Sequence, residues 1–106
     1  MPFSATTVTI IAERILQDRI VRTMEENGAT GYTIVEGSGK GRHLTRTHER
    51  PSLVRDFDIV RIEFIMLDAD RARDIAQAIT SEYFAQFSGI VYLSAAEVLR
   101  PEKFET

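Results

Sequence analysis

Residues 7–35, TVTIIAERILQDRIVRTMEENGATGYTIV, change their hydrophobic period twice, and that double change sets the fold. Thr7 to Ala12 opens as Thr-Val-Thr-Ile-Ile, the alternation of a half-buried strand. From Glu13 the period lengthens: Leu16, Ile20 and Met24 recur every fourth residue with Ile15 and Val21 beside them, as in an amphipathic helix. Asn27-Gly28 closes the helix, glycine being the usual residue where the chain leaves in a left-handed conformation. Gly31 to Val35 then reads as a second strand.

The same order recurs downstream. Val60 to Leu67 places Val60, Ile62, Phe64 and Met66 on one face of a third strand and Arg61, Glu63, Ile65 and Leu67 on the other. Asp68 supplies an N-cap, and Ala72, Ile75, Ala76, Ile79 and Tyr83 line a second helix. Gly89 ends that unit, IVYLS forms a fourth strand, and a short AAEVL piece leads to Pro101 and a polar tail. Strand-helix-strand taken twice predicts an α+β, ferredoxin-like βαββαβ sandwich, a four-stranded antiparallel sheet with both helices on one face. The mixed Arg61, Glu63, Ile65, Leu67 face is too apolar for water alone and too charged for a closed core. Packing against further copies of the same chain resolves the conflict.

Between the two units lies GSGKGRHLTRTHERPSLVRDF, residues 37–57. Lys40, Arg42, Arg46, Arg50 and Arg55 stand there against Glu49 and Asp56, so this loop carries +3 in a chain whose net charge is −3. Connections of this length in small domains are functional or disordered. Glycine at every second position from Gly37 to Gly41 lets backbone amides approach a ligand, and arginine offers a bidentate fork, so a small anion is the expected guest. The pattern is neither a Walker A loop, since Gly41 follows Lys40, nor a dinucleotide fingerprint, since no helix follows it.

Composition narrows the remaining choices. The 106 residues read as one domain spanning 1–106, with the long loop at about 37–57. No apolar run is long enough for a membrane span and no signal peptide is evident, so a cytoplasmic protein is expected. Without cysteine there is no disulfide or thiolate chemistry. Overall acidity, and strands without paired exposed aromatics, argue against nucleic-acid binding. No catalytic set stands out, so the chain reads as a non-enzyme. The series Glu13, Arg14, Asp18, Arg19, Arg22 and Glu25 reads as a solvated helix face with (i, i+4) pairs. His43 and His48 read as solvated loop histidines, so no metal site is assigned.

Several segments together resemble the PII signalling proteins. They are Glu26-Asn27-Gly28-Ala29-Thr30-Gly31-Tyr32-Thr33-Ile34, Gly39-Lys40-Gly41-Arg42 and Val60-Arg61-Ile62-Glu63. Gly89-Ile90-Val91-Tyr92-Leu93-Ser94-Ala95-Ala96-Glu97-Val98-Leu99 is similar to the end of the PII-like branch linked to bicarbonate uptake and carboxysomes. The resemblance implies a homotrimer that binds adenine nucleotides in clefts between subunits and signals through the long T-loop. It implies nucleotide contacts from Thr33 on the adenine side, Gly39 and Gly41 at the T-loop base, Arg46 toward the phosphates, Gly89 beside the cleft and Arg100 in the tail. Bicarbonate would be held by Arg42 or Arg46, and a bicarbonate transporter is the implied partner in inorganic carbon uptake and carbon fixation.

Departures from the pattern carry information. The glycine-rich B-loop and its lysine are missing around Gln86-Phe87-Ser88-Gly89, Ile59 stands for a lysine, and Glu102 stands for a second tail arginine. Each lost ion pair removes about 1–3 kcal/mol of compensation for phosphate charge, which implies AMP or ADP in preference to ATP. No T-loop tyrosine is present, so uridylylation is not expected. A second reading is a trimeric metal-tolerance protein of the same fold, using His43 and His48.

Overall fold

In the computed structural model, the described residues are 3–38 and 58–104. Six main elements follow one another: β1 (Phe3–Glu13), α1 (Gln17–Glu26), β2 (Thr33–Gly37), β3 (Ile59–Met66), α2 (Ala69–Tyr83) and β4 (Gly89–Val98). A single 3-10 turn at Arg14–Leu16 joins β1 to α1, and another at Pro101–Phe104 follows β4. The sheet order is β2-β3-β1-β4 and every neighbouring pair is antiparallel. This is the ferredoxin-like arrangement expected from the two strand-helix-strand units.

Register sorts the strand residues into two faces. Ile10 lies opposite Ile62 and Val91, Val8 opposite Phe64 and Leu93, and Ile62 also opposite Ile34. Those apolar rows meet Leu16, Ile20 and Met24 from the first helical segment and Ala72, Ile75, Ala76 and Ile79 from α2. A one-residue slip would send every apolar side chain to the wrong face, so this pattern fixes the pairing. The opposite face holds the row Val35, Arg61, Ile11, Ile90 and the row Thr33, Glu63, Thr9, Tyr92. Neither helix covers it.

Helix ends follow their local chemistry. Gly28 has φ +104°, and the Gly28 and Ala29 amides donate to Glu25 and Met24 carbonyls as α1 closes. At the start of α2 the Arg71 N–H donates to Asp68 Oδ1 at 3.1 Å. Asp68→Ala should therefore lower the unfolding free energy by about 1 kcal/mol, with Asp68→Ser recovering most of it. Urea denaturation with an unchanged slope is the check. A buried polar cluster ties the helices together: the Tyr83 hydroxyl lies 2.8 Å from Thr23 Oγ1 and donates to the Arg19 carbonyl at 3.1 Å. Tyr83 thus joins the core with its one polar atom satisfied.

Three expectations change. The AAEVL piece is not a separate element: β4 runs without interruption to Val98, because Ala95 to Val98 pair with Phe3 to Thr6 of a longer β1. Ile15 is 71% exposed instead of flanking the core. Glu13 does not belong to the solvated helix face. It is the last residue of β1, and its side chain turns inward to accept the Ser88 N–H at 2.9 Å.

Candidate functional site at two corners of the sheet

Thr33 begins β2, an edge strand, and is exposed. It lines a pocket of about 470 Å³ together with Thr30, Gly31, Tyr32, Glu63, Phe64, Ile65 and Lys103. Glu63 lies directly opposite Thr33 on β3, and its Oε2 accepts from Thr9 Oγ1 at 3.5 Å, the long limit for such a bond. The pocket lining therefore offers three hydroxyl-bearing side chains, a carboxylate, an apolar wall and one ammonium group. That set suits a polar heterocycle or a sugar edge, with Lys103 available to an anion. Lys103 arrives from the C-terminal turn, where its N–H donates to the Arg100 carbonyl at 3.1 Å. Arg100 itself is exposed and lies 3.8 Å from Glu102, so the two form a surface ion pair. Glu102, which stands where the family pattern has a second tail arginine, is thus engaged with Arg100.

The second corner is built around the T-loop stem. Gly37 pairs with Ile59, and Ile59 with Glu13. The Arg14 N–H donates to the Asp58 carbonyl at 2.9 Å, and its guanidinium lies 4.0 Å from Glu36. Gly89, at the start of β4, pairs with Ala12. It is next to Ser88, whose amide Glu13 holds. Gly89 also has a packing reason to be glycine: a Cβ there would run into the Phe84 ring.

One chain does not unite the expected contacts. Thr33 and Gly89 lie on opposite edge strands, roughly 14 Å apart across the sheet and about 10 Å apart along it. Arg100 belongs with the Thr33 pocket through the C-terminal turn, while Gly89 belongs with the loop stem. Gly39, Gly41, Arg42, Arg46, His43 and His48 lie outside the described residues. Among the described residues no three histidine or acidic side chains gather as a metal site would require, and no helix is long and apolar enough to cross a membrane. Sequence alone does not assign Glu63, Lys103 or Glu13 to the site. Glu63 has one signal, its place on the uncovered face of β3; Lys103 and Glu13 are brought in by tertiary structure alone.

Comparison with known proteins gives this geometry a family. The sequence pattern described as nitrogen regulatory protein P-II matches residues 5–103. The fold superposes on a PII-like signalling protein of Thermus thermophilus with TM-score 0.78 and 31% identity, covering 98% of each chain. CPII of Thiomonas intermedia, solved with ADP and bicarbonate, superposes with TM-score 0.79 at 23% identity over 99% of this chain and 98% of its own. The same protein solved with ADP, AMP and acetate gives TM-score 0.77 at 24% identity over 98% and 97%. A match that spans both sheet edges, both helices and the long loop leaves no separate part to explain: the chain belongs to the nitrogen regulatory protein P-II family.

Proposed function

We propose that this chain is a non-enzymatic regulatory protein that binds ADP or AMP and senses bicarbonate in inorganic carbon uptake. It works as a cytoplasmic homotrimer, each copy a single domain of residues 1–106. The observation that carries the reading is the pocket beside Thr33, with Glu63, Ile65 and Lys103 on one edge of the sheet. The glycine and arginine loop leaves from the far end of the same strand. A nucleotide held by both needs the pocket of one copy and the loop stem of its neighbour. Support comes also from CPII, which has been solved with ADP, AMP and acetate and with ADP and bicarbonate.

In this reading Thr33 faces the adenine, Gly39, Gly41 and Gly89 border the phosphates, and Arg46 and Arg100 compensate their charge. Arg42 or Arg46 takes bicarbonate through a guanidinium fork. Ligand charge orders the T-loop, which then presents or withholds a surface to a bicarbonate transporter, an order–disorder switch. Calorimetry with AMP, ADP, ATP and cyclic AMP, each with and without bicarbonate, tests the reading. ADP or AMP should bind, bicarbonate should alter that binding, and ATP should be weaker. Clearly tighter ATP binding would remove the stated preference. Arg46→Ala should weaken ADP about tenfold while leaving the assembly intact, the loss of one charge-assisted pair. Unchanged affinity would take Arg46 out of the site.

A further inference from the structure

Glu13 has an unusual position for a charged side chain. It is 9% exposed, and its Oε2 accepts a buried 2.9 Å bond from the amide of Ser88, itself 3% exposed. Backbone amides beside glycines are ready cradles for anions. Here the amide next to Gly89 already has an anion, one supplied by the chain itself. A groove of about 390 Å³ beside the loop stem is lined, among the described residues, by Glu13, Arg14, Ile15 and Asp58, so the Glu13 side chain borders open space at this corner. The Arg14 guanidinium lies 4.0 Å from Glu36, a further carboxylate. Across the sheet Glu13 is opposite Ile59 and, through it, in the same row as Gly37 at the start of the T-loop.

We propose that Glu13 is a specificity-determining residue of the nucleotide cleft. Its carboxylate holds the Ser88 amide as an internal anion and disfavours ligands with additional phosphates. This rests on the adenylate reading above, and adds to it a residue and a sign. A ligand anion approaching the Gly89 corner meets a fixed negative charge that cannot diffuse away. Each further phosphate adds to the repulsion, because Coulomb energies grow with charge and are screened less where the groups are partly buried.

The experiment compares AMP, ADP and ATP binding to the full chain by calorimetry in the natural protein, Glu13→Gln, Glu13→Asp and Glu13→Ala. Glutamine removes the charge but keeps an oxygen for the Ser88 amide. It should tighten ATP about tenfold and AMP less than about threefold, since only the charge-dependent part of the repulsion is relieved. Aspartate keeps the charge and should keep the natural ranking of the three ligands, which maintains the comparison if glutamine fails to fold. Alanine loses acceptor and charge together, so a lower melting temperature and weaker binding of all three are expected. If glutamine shifts all three adenylates equally, or none, or if aspartate reorders them, Glu13 only shapes the turn and the proposal is overturned. Failure of the natural protein to bind any adenylate overturns the functional reading itself, and that arm is read before any variant.

Discussion

Ile90→Asp should turn the protein from an assembly of several chains into a folded single chain. Ile90 is 54% exposed in the isolated chain and shares a sheet row with Ile11, Arg61 and Val35, the last 47% exposed. Tyr92, on the same face one row pair along, is 44% exposed. Both helices lie on the other side of the sheet, so nothing among the described residues covers these side chains. Burying an isoleucine side chain contributes about 1.5–3 kcal/mol, and in a closed ring of identical copies the gain recurs at every seam. An aspartate in its place brings an unpaired carboxylate into the interface, where desolvation costs several kcal/mol per ion. Arg61 lies two strands away with Ile11 between, and the short aspartate side chain cannot reach it. Sedimentation equilibrium should give the mass of three chains for the natural protein and of one for the variant, with circular dichroism unchanged. A variant that keeps the natural mass would show that this face is not the seam. A natural protein that is itself monomeric would end the trimer reading.

Much of the fold was legible because the strong elements announce themselves locally. Leu16, Ile20 and Met24 mark a helix by spacing, Asp68 marks a helix start by its side chain, and Gly28 marks a helix end by its backbone freedom. Ser94-Ala95-Ala96-Glu97 has no alternation and no strong strand former. Its place in β4 is decided by pairing with Ser4 to Thr7, a tertiary effect that no window of sequence contains. The site divides along the same line. Thr33 was singled out by the family resemblance as a proposed contact, and in the structure it is an exposed residue of the pocket lining. Lys103 was not, because a C-terminal turn carries it to Thr33, which is 70 residues earlier in the chain. Glu13 escapes a local reading for a related reason. Its charge and neighbours look like a helix face, and the amide that draws it inward belongs to Ser88, 75 residues later.

Gly89→Ala is expected to cost about 3 kcal/mol of stability, near the upper end for overpacking a fitted site. The reason is a single contact. Phe84 follows α2, its N–H donates to the Thr80 carbonyl at 3.1 Å, and its half-buried ring packs against the core. That ring fills the space a Cβ on residue 89 would need. The ring packs against the buried core, whose close packing leaves it little room to retreat inward. Gly89 is also held by its β1 pairing with Ala12, and the preceding Ser88 amide is fixed by Glu13, so the backbone has little freedom to withdraw. The double variant Gly89→Ala, Phe84→Ala should regain most of the loss caused by the alanine at 89, relative to Phe84→Ala alone. A coupling of about 2 kcal/mol in a double-mutant cycle measured by urea denaturation would assign the glycine to this ring. Additive effects would break that link. They would leave the proposed approach of a nucleotide's phosphates as the account of the glycine still to be tested.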